Sequence, residues 1–273
     1  MILDSTASTE WPLVSALFIT YKRFDHLQNA VMSFLEQTSY PNIEVIISDD
    51  GSPPEVQEAI QALPIPKTVI LAPKNRGLGA NFNQGMSACK GKYILAIQDD
   101  WVCHGPADYL SNSVYLLEQY PEIGLIHFTM GLDHIPPEAA RQGLNQIAYL
   151  YPDDPTLRAY HVIYSDQPHL RRAAINDLLG PYLEHRNMEE CERDYEKRWD
   201  QQRVYKSAMF PAYWLKVFSN EGIADSLREG RMRNRVDRML APLAGRLNKE
   251  SRLYKIGRSI LRSIQQLLGG YRS

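Results

Sequence analysis

Two short apolar runs in this chain stop in the same way. Ile43–Ser48 (IEVIIS) runs into Asp49-Asp50-Gly51-Ser52, and Tyr93–Ile97 (YILAI) runs through Gln98 into Asp99-Asp100-Trp101. Runs this rich in β-branched, aromatic and aliphatic residues read as strands. Leu13–Thr20 (LVSALFIT) is apolar almost throughout, as suits a strand covered on both faces. Helical spacing fills the gaps: Leu27, Val31, Phe34 and Leu35 share a face within Phe24–Gln37, and Pro53-Pro54 opens a helix over Glu55–Leu63. A short strand at Lys67–Leu71 and a helix at Ala80–Ala88 follow. Such β-α-β-α-β-α-β alternation predicts a mostly parallel sheet flanked by helices. All carboxyl ends of a parallel sheet lie on one edge, where open α/β sheets bind ligands. The two acid pairs therefore meet at one cleft although fifty residues separate them. Adjacent carboxylates repel unless a cation neutralises them, and hard oxygen ligands suit Mg²⁺ or Mn²⁺. The plainer reading is an exposed acidic turn after a strand.

The 273 residues suffice for one large domain with appendages, and 44% hydrophobic against 23% charged content is ordinary for a folded chain. The formal net charge of −2 hides an asymmetry: Arg228–Ser273 carries 12 Lys+Arg against 3 Asp+Glu, so a net +9 tail follows a net −11 body. Cys89, Cys103 and Cys191 are far apart and odd in number, which points to reduced thiols and a cytosolic setting. Met1–Glu10 lacks the basic and apolar regions of a signal peptide, and no apolar run approaches the ~20 residues that span a bilayer.

Gly77-Leu78-Gly79 follows a strand and opens a helix, as a dinucleotide-binding turn would, but its third glycine position is Phe82. There is no G-x-x-x-x-G-K-[ST] loop either.

The order and spacing of several segments resemble the nucleotide-binding half of the family 2 glycosyltransferases, which have the GT-A (Rossmann-like) fold. They are Val14-Ser15 through Thr20-Tyr21, Gln37-Thr38, Ile43 through Ser52, Asn75-Arg76-Gly77, Asn83-Gln84-Gly85, and Gly91-Lys92-Tyr93 leading to Asp99-Asp100. The resemblance covers roughly a third of the chain. It implies that Thr20 and Tyr21 line a base pocket, that Asp50 accepts a hydrogen bond from the base, and that Arg76 reaches the base or the diphosphate. Asp99 and Asp100 stand at the family's metal-binding D-x-D, Asp100 toward the cation and Asp99 toward the ribose or sugar. Their adjacency departs from the commoner spacing. The implied reaction moves a sugar, with inversion, from a nucleotide-diphosphate sugar to an acceptor hydroxyl. A divalent cation eases departure of the diphosphate, and one carboxylate serves as base.

Beyond Trp101 a helix is expected over His104–Tyr120, a strand over Gly124–Met130 with His127 as a packed residue, and a lid or insertion over His134–Asp154 with a helical patch at Glu138–Ile147. A strand over Tyr160–Ser165 and a helix from His169-Leu170-Arg171-Arg172 to Leu179 follow, ended by Gly180-Pro181. The resemblance places an acidic acceptor-side motif at Glu189–Arg198. Aligning Asp194 and Arg198 with it puts Glu192 at the base position, with Glu189, Glu190 and Asp194 as the alternatives. Read without the resemblance, these charges are a solvated helix with i,i+4 pairs. Arg203–Phe210 reads as a strand, and Tyr213–Asp225 is aromatic enough to stack on a sugar or fill a core. No histidine lies between Gln201 and Ser273 to serve as a further metal ligand.

Leu227–Leu247 and Arg252–Leu268 show helical periodicity; Leu253, Ile256, Ile260, Ile264 and Leu267 form a stripe, with Arg252, Lys255, Arg258 and Arg262 largely off it. A basic amphipathic helix lies on an anionic membrane surface, docks on its own body, or pairs with a second subunit. The acidic body argues against nucleic acid. The expected organisation is a transferase domain over 1–225, with a nucleotide-binding half at 11–101 and an acceptor half at 102–225, then a helical extension over 226–273. The expected setting is cytoplasmic, or peripheral on the inner face of the plasma membrane, with a glycan or lipid-linked acceptor in cell-envelope or exopolysaccharide synthesis. Two rivals stand beside it: a non-catalytic nucleotide-sugar-binding scaffold, and a sugar nucleotidyltransferase. The second calls for a glycine-rich loop after the first strand, and Thr20–Phe24 has no glycine.

Overall fold

The computed structural model describes residues 11–128, 141–142, 148–150, 164–184, 187–209 and 217–221. β1 (Val14–Thr20), α1 (Phe24–Gln37), β2 (Ile43–Asp49), α2 (Pro54–Ala62), β3 (Thr68–Leu71), α3 (Leu78–Ala88) and β4 (Tyr93–Gln98) follow one another as the sequence pattern predicts. Then come β5 (Trp101–Cys103), α4 (Tyr109–Gln119), β6 (Ile123–His127), β7 (Arg141–Gln142), β8 (Ala148–Leu150), β9 (His169–Arg172), α5 (Ala174–Leu179), α6 (Met188–Gln201), β10 (Lys206–Met209) and β11 (Phe218–Asn220).

The described strands form a sheet in the order β3-β2-β1-β4-β9-β6-β10-β8-β7, and β11 pairs with β5 apart from it. β3, β2, β1 and β4 are mutually parallel. β9 runs antiparallel to both neighbours, β4 and β6. Strand alternation sends side chains to two cores. Val14, Ala16 and Phe18 meet Leu27, Val31 and Phe34 of α1 and Val114 of α4 on one face. Leu17 and Ile19 meet Phe82 and Met86 of α3 and Tyr195 and Trp199 of α6 on the other. Phe82, in place of a third glycine, is buried and stacked on Tyr182 at 5.0 Å between ring centroids.

Several expectations need correction. His169–Arg172 is a strand rather than the start of a helix: pairing with β4 and β6 satisfies its backbone on both sides, which outweighs the helical preference of Leu and Arg. The helical patch at Glu138–Ile147 fails at Arg141–Gln142, which pairs with β8 as an edge hairpin. Tyr164 and Ser165 are not in a strand. The helix expected from His104 begins at Tyr109, after Gly105 at φ +71° and Pro106. Trp101–Cys103 is a strand that the sequence reading passed over. The expected lid at 134–154 and the aromatic segment at 213–225 are only partly described, and the expected helical extension at 226–273 lies outside the described residues. No described helix is long and apolar enough to cross a membrane.

Candidate functional site

β1 sits between β2 and β4, so its end is the centre of the carboxyl edge. Register sets Thr20 beside Asp49 on one side and Ile19 beside Gln98 on the other. The pairing continues one residue past the strands: the Asp50 N–H donates to the Thr20 carbonyl at 3.1 Å, and the Asp99 N–H to the Ile19 carbonyl at 3.0 Å. Asp50 and Asp99-Asp100 therefore flank the end of β1 at one rim, as the strand-end argument requires.

The four acids divide their work. Asp49 is a scaffold residue: its carboxylate accepts from the Ser52 N–H at 2.8 Å, from the Ser52 hydroxyl, and from Gln57 Nε2 at 2.9 Å. Ser52 Oγ in turn accepts the Lys22 N–H at 2.7 Å. That contact helps hold Lys22 at φ +64°, a conformation costly for any side chain with a Cβ. Lys22 Nζ lies 4.7 Å from the ring centre of half-buried Tyr21.

Asp50 latches the Asn75-Arg76-Gly77 loop. One carboxylate oxygen accepts the Arg76 N–H at 2.9 Å, the other the Gly77 N–H at 2.8 Å. Burial pushes its pKa up, and those two N–H groups pull it down. Gly51 next door is required by space as well as by its φ of +74°: a Cβ there would lie 2.3 Å from the backbone carbon of Lys74. Arg76 itself reaches Gln84 Oε1 at 3.2 Å and Glu184 at 3.7 Å.

Thr20 Oγ1 donates to Asp99 Oδ2 at 2.8 Å, and Asn81 Nδ2 from α3 donates to the Thr20 carbonyl at 3.0 Å. Gln84 of the same helix donates to the Asp49 carbonyl at 3.0 Å, so α3 fastens the ends of β1 and β2 together. Asp99 is 1% exposed; burial pushes its carboxyl up to about 6, although Arg23 and Thr20 pull it down. Arg23 has no role in the sequence reading, yet its guanidinium spans both acids. Nε donates to Asp99 at 3.3 Å, Nη2 pairs with the other Asp99 oxygen, and Nη1 reaches Asp100 Oδ2 at 3.4 Å. No local pattern marks it, because its partners lie 76 and 77 residues further on.

Asp100 is 7% exposed, and its Oδ1 has no hydrogen-bond partner among the described residues. A buried, unsatisfied carboxylate oxygen is costly to leave alone and suits a hard cation. Among the described residues no three His, Cys, Asp or Glu side chains converge as a metal cluster. His127 is buried within β6. The arrangement thus fits a cation held by one or two carboxylates and completed by phosphate oxygens, as Mg²⁺-type sites commonly are.

The acceptor-side acids separate on α6. Asp194 is paired with Arg198, whose Nε donates to it at 2.8 Å, so for this residue the i,i+4 reading holds. Glu189 and Glu190 are exposed in the first turn. Glu192 turns inward, where its Oε1 accepts from Ser165 Oγ at 3.1 Å and from the Asp166 N–H at 3.2 Å. The Asp166 carbonyl in turn accepts from Gln98 Nε2 at 3.3 Å, one residue before Asp99. Asn83 ties the halves a second time, exchanging bonds of 3.0 and 2.8 Å with the Tyr182 backbone ahead of α6.

Known proteins resemble this chain in part. Residues 15–131 match the model of "Glycosyl transferase family 2". An uncharacterized glycosyltransferase of Rickettsia bellii is 34% identical over 110 residues, 40% of this chain and 15% of that protein. Among solved structures, the mannosyltransferase PcManGT from Pyrobaculum calidifontis, in complex with GDP-Man and Mn²⁺, superposes at a TM-score of 0.54 and 16% identity, covering 74% of this chain and 56% of that one. S. aureus TarS 1-349 with UDP-GlcNAc superposes at 0.56 and 13% identity, covering 78% and 61%. The matches therefore span only part of each relative's own length. Over residues 15–131, less than half of its length, this chain is similar to the glycosyl transferase family 2 model, and the sheet that carries the match has the GT-A fold.

Proposed function

We propose that the chain is an inverting glycosyltransferase that moves a sugar from a nucleotide-diphosphate sugar to an acceptor hydroxyl. The observation that carries this reading is the shared rim: Asp50 and Asp99-Asp100 flank the end of β1, and Glu192 is tied to the same strand end through Asp166 and Gln98. Thr20 and Tyr21 border the nucleotide base, and Asp50 accepts from it with lone pairs left over from the Arg76 and Gly77 N–H groups. Arg76 serves the base or the diphosphate, and Asp99 the ribose or sugar. Asp100, with Asp99 beside it, holds Mg²⁺ or Mn²⁺. When bound, that cation supplies charge neutralisation at the departing diphosphate. Glu192 takes the acceptor's proton; its bonds from Ser165 and Asp166 hold the carboxyl group in place. Glu189 and Glu190 are the weaker alternatives because they face solvent, and Asp194 because Arg198 holds it.

A donor screen by thermal shift with Mn²⁺, across uridine and guanosine diphosphate sugars, identifies the nucleotide. Release of nucleoside diphosphate then measures turnover. Glu192→Gln is expected to lower kcat by a factor of about 10²–10⁴, the usual worth of a positioned base, with donor binding unchanged. Asp100→Asn is expected to lower turnover and to weaken its dependence on metal. Donor binding without any release of nucleoside diphosphate favours the binding-scaffold reading; turnover untouched by Glu192→Gln moves the base to another acid.

We also propose that 226–273 forms a separate basic extension to a transferase domain over 1–225. It holds the chain at the inner, anionic face of the plasma membrane, near a glycan or lipid-linked acceptor of envelope polysaccharide synthesis. Its net charge supports this. Co-sedimentation with vesicles containing anionic lipid is expected, falling as salt rises. Salt-independent self-association without vesicle binding would assign the tail to subunit contact instead.

A further inference from the structure

Arg23 occupies the oxygens that a cation would need. Its guanidinium engages both carboxylate oxygens of Asp99 and Oδ2 of Asp100, leaving only the buried Oδ1 of Asp100 unpartnered among the described residues. The two acids are almost wholly buried, with side-chain exposures of 1% and 9%, while the Arg23 side chain is 27% exposed. The backbone of Arg23 is fixed at the start of α1, where its carbonyl accepts the Leu27 N–H at 3.0 Å. Its long side chain can therefore leave toward solvent by rotating about its own bonds, without moving the helix. A guanidinium and a divalent cation on the same pair of carboxylates repel each other, so one excludes the other.

We propose that Arg23 is a tethered counter-ion that holds the Asp99–Asp100 pair until a divalent cation, arriving with the donor diphosphate, displaces it. The inference rests on the metal role proposed for Asp100. It adds that the chain's own affinity for bare metal is held down by Arg23, so that metal loading is coupled to donor binding. A nucleoside diphosphate brings negative charge for both the cation and the released guanidinium; metal alone brings none.

The test is Mn²⁺ uptake by the full chain, followed by the paramagnetic resonance signal of free Mn²⁺, with and without UDP or GDP. Without nucleotide, Arg23→Gln is expected to bind Mn²⁺ about tenfold tighter than the parent, the scale of one charge-assisted pair. Arg23→Lys, which keeps the charge but loses the fork, should fall between them. Adding the better nucleotide should raise the parent's Mn²⁺ affinity by a larger factor than that of Arg23→Gln. Asp100→Asn in the Arg23→Gln background should abolish the gain, which ties it to this site. If the parent takes up Mn²⁺ with nucleotide while parent and both Arg23 variants bind bare Mn²⁺ equally, the counter-ion inference is overturned and the metal reading survives. If no form takes up Mn²⁺ with either nucleotide, the metal reading fails and takes the inference with it. A folded far-ultraviolet spectrum and a cooperative melt for each variant exclude misfolding as the cause.

Discussion

One buried histidine, His169, is expected to give this chain a pH-dependent stability unrelated to its proposed chemistry. His169 is fully buried on β9; its Nδ1–H donates to the Gln167 carbonyl at 2.7 Å, and its Nε2 has no partner among the described residues. Burial first, then the nearby charges of Arg171 and His127, drive its pKa down to about 3 from the usual 6.5. Below about pH 6.5 the unfolded chain binds a proton that the folded chain refuses. His169 thus contributes stability fully present above about pH 6.5 and lost as pH falls toward 3. Between pH 7 and 5 the loss is expected to be about 2 kcal/mol, read from urea midpoints, and His169→Gln should flatten that part of the curve. At this scale the sequence showed the acids of the rim but not their partners. Asp50, Asp99 and Asp100 end apolar runs, so position alone marks them. Arg23 and Asn81 acquire their roles only when strands far apart in sequence lie side by side.

At the scale of elements, α3 is the beam that carries the rim, and its seating depends on Gly79. A Cβ there would stand 2.0 Å from the Leu183 carbonyl oxygen and 3.3 Å from Cys191 Sγ of α6. In an isolated helix Gly→Ala gains about 1 kcal/mol. Here the clash is with backbone, which cannot swing aside, and overpacking of that kind typically costs about 1–3 kcal/mol before any gain is counted. Gly79→Ala is therefore expected to destabilise by up to about 2 kcal/mol in chemical denaturation. By shifting the Leu183 loop and α6, it should also lower kcat more than a surface change of equal stability. The elements up to β4 were legible because each carries its own period and its own punctuation. β9 was not: HLRR reads as helix by composition, and only its place between two strands, with the Arg171 guanidinium donating to Asn176 Oδ1 at 2.5 Å and to the Tyr195 hydroxyl at 2.6 Å, makes it a strand.

The large sheet of the described residues is two halves joined by that strand. Four parallel strands, β3-β2-β1-β4, present the proposed donor side of the rim, and β6 and β10 extend the sheet beyond β9. Glu192 lies on α6, which packs over the same face as α3, so the proposed base and the acids of the rim belong to different halves brought together by one core. The first half was readable because its β-α alternation is local. The second was readable only in pieces, namely α4, β6, the end of α5 and β10, because its strands are short and pair out of chain order. That disorder has a consequence for synthesis. β4 and β6 are close in sequence but never touch; each waits for His169–Arg172. On the ribosome the open flank of β4 must go unzipped until the later strand emerges. A nascent chain halted before that point carries a bare, sticky seam, the kind of surface that chaperones attend.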